Sequence, residues 1–264
     1  MNIKTCTERV ILKPCSLENI NYQIDTYIGC SHYCYYCYAL QCAKTNWSER
    51  IITHKNIVEK LSDELKDVSP QKIYFGYHTD PYQPCEKQFI QTRKVLDLLL
   101  EKNFSASILT KSDLVIRDKY LLKNMENASV SISVAFIDNN IRKLFEYNTI
   151  DTERRINGLM QLKELGIKTN ALICPVIPHV TDVVELINLL ETCADTIWIY
   201  GLSILNKSDV YWQNIEPIFD QYFPKRNDLI KQAIFNKNHI FWNTLRSKLE
   251  LIKKERKLDL RINF

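Results

Sequence analysis

Glycine is scarce in this chain: 264 residues hold five, Gly29, Gly76, Gly158, Gly166 and Gly201. Neither the G-x-G-x-x-G dinucleotide fingerprint nor the G-x-x-x-x-G-K phosphate loop can be written with them, which excludes the usual glycine-built nucleotide sites. Also missing is any apolar run near the roughly 20 residues that a membrane-spanning helix needs. The start, MNIKTCTERVILK, is too charged for a secretory signal, so a cytosolic chain with no membrane partner is expected. Neither charge is in large excess, because 35 Lys and Arg against 31 Asp and Glu leave a net +4. That balance tolerates a polyanionic partner without demanding one. An apolar content of 45% with 25% charge excludes disorder as the dominant state.

Cysteine, by contrast, is abundant. Nine occur, but the number is odd, the chain is long, and Cys30, Cys34 and Cys37 crowd together, so reduced thiols that bind metal are a better reading than a disulfide framework. Cys6, Cys15, Cys42, Cys174 and Cys193 show no spacing of a second site and read as small apolar residues.

Short runs rich in β-branched and aromatic residues alternate with stretches of helical spacing. Strands are predicted over 22–28, 72–76, 106–110, 129–134, 168–173 and 196–200, and helices over 49–66, 87–102, 113–125, 152–165 and 183–193. Six such βα units predict an α/β fold, a partial (β/α)6 TIM-type barrel whose functional groups gather at the C-terminal strand ends. After Gly201 the strand pattern stops. Helices are predicted over 209–223 and 225–257, dividing the chain into a core, 1–205, and a helical C-terminal extension, 206–264.

Cys30, Cys34 and Cys37 stand at C-x3-C-x2-C spacing directly after the first predicted strand. A structural zinc site wants four ligands, commonly as two knuckles, and no second knuckle exists here. His32 is a candidate fourth ligand, which keeps zinc open. A cubane fits the three thiolates better, leaving a fourth iron for a non-protein ligand. A nucleic-acid-binding role is a further alternative, resting on Arg246, Lys248, Lys253, Lys254, Arg256, Lys257 and Arg261 near Trp242. Glu250, Glu255 and Asp259 interrupt that basic run, which suits a solvated helix face.

With Tyr36 just before the last cysteine, the triplet resembles the signature of the radical S-adenosylmethionine (SAM) superfamily. Four segments together resemble the spore photoproduct lyase-like family: Tyr27-Ile-Gly-Cys-Ser-His-Tyr-Cys-Tyr-Tyr-Cys-Tyr-Ala, Gly76-Tyr-His-Thr-Asp-Pro-Tyr-Gln-Pro-Cys-Glu, Leu109-Thr-Lys-Ser-Asp-Leu-Val-Ile-Arg-Asp and Pro175-Val-Ile-Pro. They cover roughly residues 21–201. The resemblance implies a [4Fe-4S] cluster in the loop 29–38, with S-adenosyl-L-methionine on its open iron and an external electron donor of flavodoxin or ferredoxin type. Reductive cleavage would then give a 5′-deoxyadenosyl radical that takes hydrogen from a substrate, a nucleic acid or another molecule.

It also implies roles for single residues, each with a plainer alternative. Tyr36 lies by the adenine or packs under the loop. Thr79 and Asp80 accept from the cofactor's amino group or cap a turn. Lys111 pairs with the cofactor's carboxylate or is a surface lysine. Ser133, with Ser131, turns a hydroxyl into the barrel, where Arg154, Arg155 and Asn170 rank as weaker candidates. Cys85 and Tyr77 are the candidate hydrogen donors. The spore lyase carries its cysteine just before the position of Thr79, where this chain has Tyr77 and His78, and that departure speaks against thymine-dimer repair as the main reaction.

Overall fold

The six runs read as strands line up as neighbours in one sheet of a computed structural model that describes residues 2–6, 10–42, 46–47 and 49–264. The strands are β1 (Asn2–Cys6), β2 (Leu12–Pro14), β3 (Tyr22–Ile24), β4 (Tyr27–Ile28), β5 (Arg50–His54), β6 (Lys72–Phe75), β7 (Ser105–Thr110), β8 (Ser129–Ser133), β9 (Lys168–Val176), β10 (Thr196–Gly201) and β11 (Leu260–Asn263). The helices are α1 (Ile57–Glu64), α2 (Glu86–Phe89), α3 (Gln91–Glu101), α4 (Lys119–Asn124), α5 (Asn139–Phe145), α6 (Thr152–Glu164), α7 (Val183–Leu190), α8 (Val210–Tyr222), α9 (Asn227–Phe235) and α10 (Ile240–Arg256).

The large sheet runs β11-β10-β9-β8-β7-β6-β3-β2, and its end strands β11 and β2 do not pair with each other. All neighbours are parallel except β2 and β3. The fold is therefore the expected α/β architecture of a partly closed barrel. Strand alternation sorts its two faces. Ile73, Phe75, Ile108, Val130, Ile132 and Ile199 are fully buried in the main core, together with Val95, Leu99, Leu159 and Leu186 from the crossover helices. The opposite face carries Tyr74, Ser131, Ser133, Asn170, Cys174 and Tyr200, too polar to form a second core.

Several boundaries differ from the sequence reading. The predicted strand 22–28 splits at Asp25 and Thr26, so that β4 leaves the large sheet and pairs with β5, which pairs with β1. The predicted helix 49–66 starts as this strand β5, because the β-branched Ile51, Ile52 and Thr53 favour extended chain. The predicted helix 87–102 is broken at Ile90, which takes a left-handed φ of 48°. The first half of 113–125 is a 3-10 turn. Residues 225–257 form two helices, and the extension is not purely helical: β11 returns to pair in parallel with β10. Helices α8 and α9 place Trp212, Ile215, Phe219, Ile230 and Ile234 in one apolar cluster with Cys34, Tyr36 and Phe145, so the extension packs against the cysteine loop. No helix of the described residues is long and apolar enough to cross a membrane.

Candidate functional site

Two glycines fix the chain where the site begins. Gly76, just past β6, has φ +98°, and a Cβ there would stand 2.2 Å from the Leu109 carbonyl oxygen. Gly29 opens the cysteine loop at φ +85°, with Trp47 and Ile51 closing off the space of a side chain. Only glycine meets both demands without strain.

After Gly29 the loop turns twice, through Tyr33 N–H donating to the Cys30 carbonyl (3.2 Å) and Cys37 N–H to that of Cys34 (3.0 Å). Its start is clamped from the segment after β6. Thr79 Oγ1 donates to the Gly29 carbonyl (2.6 Å), while Gln83 Nε2 donates to the same oxygen (3.0 Å) and to Thr79 Oγ1 (2.9 Å). Gln83 Oε1 in turn accepts from Ser31 N–H (2.9 Å). The middle of the loop is zipped to the segment after α5: Tyr35 N–H donates to the Phe145 carbonyl (2.9 Å), Asn148 N–H to that of His32 (3.0 Å), and Cys34 forms a β-bridge with Glu146.

Cys30, Cys34 and Cys37 are free thiols, Cys34 buried and the others partly so. Burial pushes Cys30 up to about 12, with Asp80 adding to the shift. Cys34 and Cys37 are raised by burial too, and the Lys111 ammonium acts on both in the opposite direction. Among the described residues no three His, Cys, Asp or Glu side chains gather closely enough to hold a single metal ion. His32, the candidate fourth zinc ligand, has its Nδ1 3.0 Å from the Asn148 carbonyl oxygen, while its buried Nε2 lies 3.2 Å from Asp80 Oδ2 without making a hydrogen bond.

Above the ends of β7 and β8 lies a buried ionic group. Lys111 Nζ donates to Ser133 Oγ (2.8 Å), stands 4.0 Å from Glu146 Oε1 and lies over the Tyr36 ring at 5.8 Å. Glu146 is fully buried, and Tyr36 Oη, Thr149 Oγ1 (3.0 Å) and Arg155 Nη2 (2.5 Å) all donate to its carboxylate. Burial works to raise the Glu146 pKa, but Arg155, Lys111 and Tyr36 overcome it and hold the group at about 2. Burial likewise works to lower that of Lys111, and Glu146 and Cys34 more than offset it.

The structure thus brings Tyr36, Lys111 and Ser133 together beside the three cysteines, and adds Glu146, which sequence reasoning missed. Thr79 and Asp80 lie close by but are occupied by protein. Asp80 Oδ1 accepts from Thr110 Oγ1 (2.6 Å) and Tyr82 N–H (2.8 Å), and Oδ2 from Lys111 N–H (2.7 Å), so the pair ties strand ends to the cysteine loop instead of presenting free acceptors. Cys85 packs with Tyr27, Ile51 and Phe89, within the electrostatic reach of Asp80. Tyr77 sits at the rim, its hydroxyl 2.7 Å from Ser16 Oγ and its ring edge-on to Tyr38, Tyr74 and His78. Arg155 is buried in the ionic group, whereas its neighbour Arg154 is exposed and pairs with Asp113. Asn170 Nδ2 bonds Ser131 Oγ (3.2 Å), deeper in the sheet. Cys174, read from sequence as a small core residue, lies within the electrostatic reach of Lys111, Cys37 and Glu146.

Comparison with known proteins adds three findings. The family model of the Radical SAM superfamily matches residues 24–190. The uncharacterized protein MJ0683 of Methanocaldococcus jannaschii is 32% identical over 249 residues, covering 92% of each chain, and the uncharacterized protein Rv2578c of Mycobacterium tuberculosis is 27% identical over 173 residues, 61% of this chain and 51% of that one. Among solved structures, spore photoproduct lyase complexed with dinucleoside spore photoproduct superposes with a TM-score of 0.71 at 12% identity, covering 99% of this chain and 82% of that one. Streptococcus suis SuiB bound to S-adenosylmethionine gives a TM-score of 0.57 at 13% identity, covering 91% and 49%. At such identities these structures are alike in fold.

Proposed function

Because this chain belongs to the radical SAM superfamily, we propose that Cys30, Cys34 and Cys37 hold a [4Fe-4S] cluster that cleaves S-adenosylmethionine reductively, making the protein a radical enzyme acting on a substrate still to be identified. The observation that carries this reading is Lys111. Its ammonium is largely buried yet makes one short hydrogen bond, to Ser133, and one loose ion pair, to Glu146, whose carboxylate is already taken by Arg155. Buried charge of this kind calls for a partner, and donors remain on Nζ for an anionic group beside the cysteine loop.

The donor set fits the cluster. Three thiolates leave one iron open, and around Cys34 three cations, Lys111, Arg142 and Arg155, face the carboxylate of Glu146, which suits an anionic ligand. When bound, the cluster supplies the electron that breaks the sulfonium C–S bond. The chain's own residues do the rest: Lys111 binds the carboxylate of the cofactor, Ser133 aims that ammonium, Tyr36 walls the pocket where adenine would lie, and Thr79 and Gln83 hold the loop's entry. Helices α8 and α9 of the extension, 206–264, cover the loop and keep water from it, while the core, 1–205, carries the chemistry. The electron comes from an external donor of flavodoxin or ferredoxin type. The reading does not extend to thymine-dimer repair as the main reaction, because Tyr77 and His78 stand where the spore lyase carries its cysteine.

The test is anaerobic reconstitution followed by reduction with S-adenosylmethionine present. Wild-type protein is expected to hold about four irons, the count of a cubane cluster, and to release 5′-deoxyadenosine and methionine, and Cys30→Ala, Cys34→Ala and Cys37→Ala each to lose both properties. Retained iron and cleavage in any of the three would defeat the assignment.

A further inference from the structure

We propose that Glu146 is a positioning residue that sets the charge beside the cysteine loop and thereby the reduction potential of the cluster; this rests on the cluster reading above. Three observations converge on it. Its backbone meets the loop directly, through the β-bridge to Cys34 and the flanking bonds from Tyr35 to Phe145 and from Asn148 to His32. Its carboxylate, wholly buried, is where Tyr36, Thr149 and Arg155 converge, with Lys111 4.0 Å away. And it is the carboxylate that acts on Cys34, where the cations Lys111, Arg142 and Arg155 also act; Asp80 acts on the Cys30 side.

A purely structural carboxylate would need Arg155 alone. Here the two oxygens divide the work. Oε2 takes Arg155 and Thr149, which fixes the carboxylate in the fold. Oε1 takes Tyr36 and faces Lys111, the two side chains that the cysteine loop and the strand-end pocket share. Net charge near a cluster is one of the terms that set its potential, because added positive charge favours the more negative, reduced state. In a buried site that coupling is screened far less than at the surface.

The experiment is a redox titration at pH 7, followed by the electron paramagnetic resonance signal of the reduced cluster, on cofactor-free reconstituted protein. Glu146→Gln removes one negative charge with little change of shape and is expected to shift the potential to less negative values. Lys111→Met removes one positive charge and is expected to shift it to more negative values. The double variant restores the charge balance and is expected to return toward wild type, with iron content kept in all four proteins. A potential common to all four, or a double variant that does not return, overturns the proposal while leaving the cluster reading intact. Should Glu146→Gln alone fail to fold, adding it to the Lys111→Met background supplies the same comparison, and absence of an upward shift there is equally decisive. Wild-type protein that takes up no cluster would overturn the proposal together with the function it rests on.

Discussion

Replacing Arg155 by Met should destabilise the protein far more than the same change at Arg154, its neighbour in sequence. The Arg155 side chain is 1% exposed, and its guanidinium serves three acceptors: Glu146 Oε2 (2.5 Å), the Ser133 carbonyl (2.9 Å) and the Ile150 carbonyl (2.9 Å). Methionine matches the length but leaves Glu146 without its closest counter-charge and two carbonyls without their donor. Breaking a buried pair from one side costs about 3–5 kcal/mol. Lys111, Tyr36 and Thr149 still attend Glu146, which places the expected cost near the lower figure. At about 2–4 °C per kcal/mol for a chain of this size, a loss of about 3 kcal/mol lowers Tm by roughly 6–12 °C. Arg154 is 53% exposed, and its pair with Asp113 belongs to the surface class worth at most about 1 kcal/mol. Calorimetry of the metal-free protein at pH 7 reads both. Equal Tm values for Arg155→Met and Arg154→Met would refute the claim that the buried ionic group organises this part of the fold.

Acid unfolding offers a second check. Glu146 is held at about 2 against an ordinary 4.5, so its contribution is complete above pH about 4.5 and is lost as pH falls toward 2; Glu146→Gln should flatten that part of a Tm-against-pH curve, and an unchanged slope would contradict it. Lys111→Ala should weaken binding of S-adenosylmethionine about ten- to a hundredfold, the worth of a charge-assisted hydrogen bond of roughly 1.5–3 kcal/mol, with iron content kept; unaltered affinity in a binding titration would return Lys111 to a structural role. Gln83→Leu strips the bonds to Gly29, Thr79 and Ser31, so reconstituted protein should lose iron to a chelator several times faster than wild type, and equal rates would show that the clamp is dispensable.

What could be read from sequence was what short range decides. Three cysteines within one loop, the period-two runs of β7 to β10 and the scarcity of glycine all act locally, and Lys111 could be placed because it directly follows a strand. Glu146 could not be found that way. It sits in an ordinary Phe-Glu-Tyr-Asn stretch, and its partner Tyr36 is 110 positions distant, so only the folded chain reveals the contact. Thr79 and Asp80 read from sequence as cofactor acceptors or as turn caps, and the sequence could not choose, since whether a hydroxyl or carboxylate faces a ligand or a neighbouring loop depends on packing; Asp80 does cap the turn at Tyr82. Strand β5 was hidden because its helical flank, α1, begins only three residues later and absorbed it into one period. β11 was hidden for a different reason: a four-residue strand after a long charged helix is stabilised by the open edge of β10, not by its own sequence.

The most direct test of a three-thiolate cluster with one open iron is spectroscopic. Electron paramagnetic resonance of the reduced, reconstituted protein should show a [4Fe-4S] signal whose g-values change when S-adenosylmethionine is added, and the change should require higher cofactor concentrations in Lys111→Ala. A reduced cluster whose spectrum is identical with and without the cofactor, in protein that forms no 5′-deoxyadenosine, would contradict it.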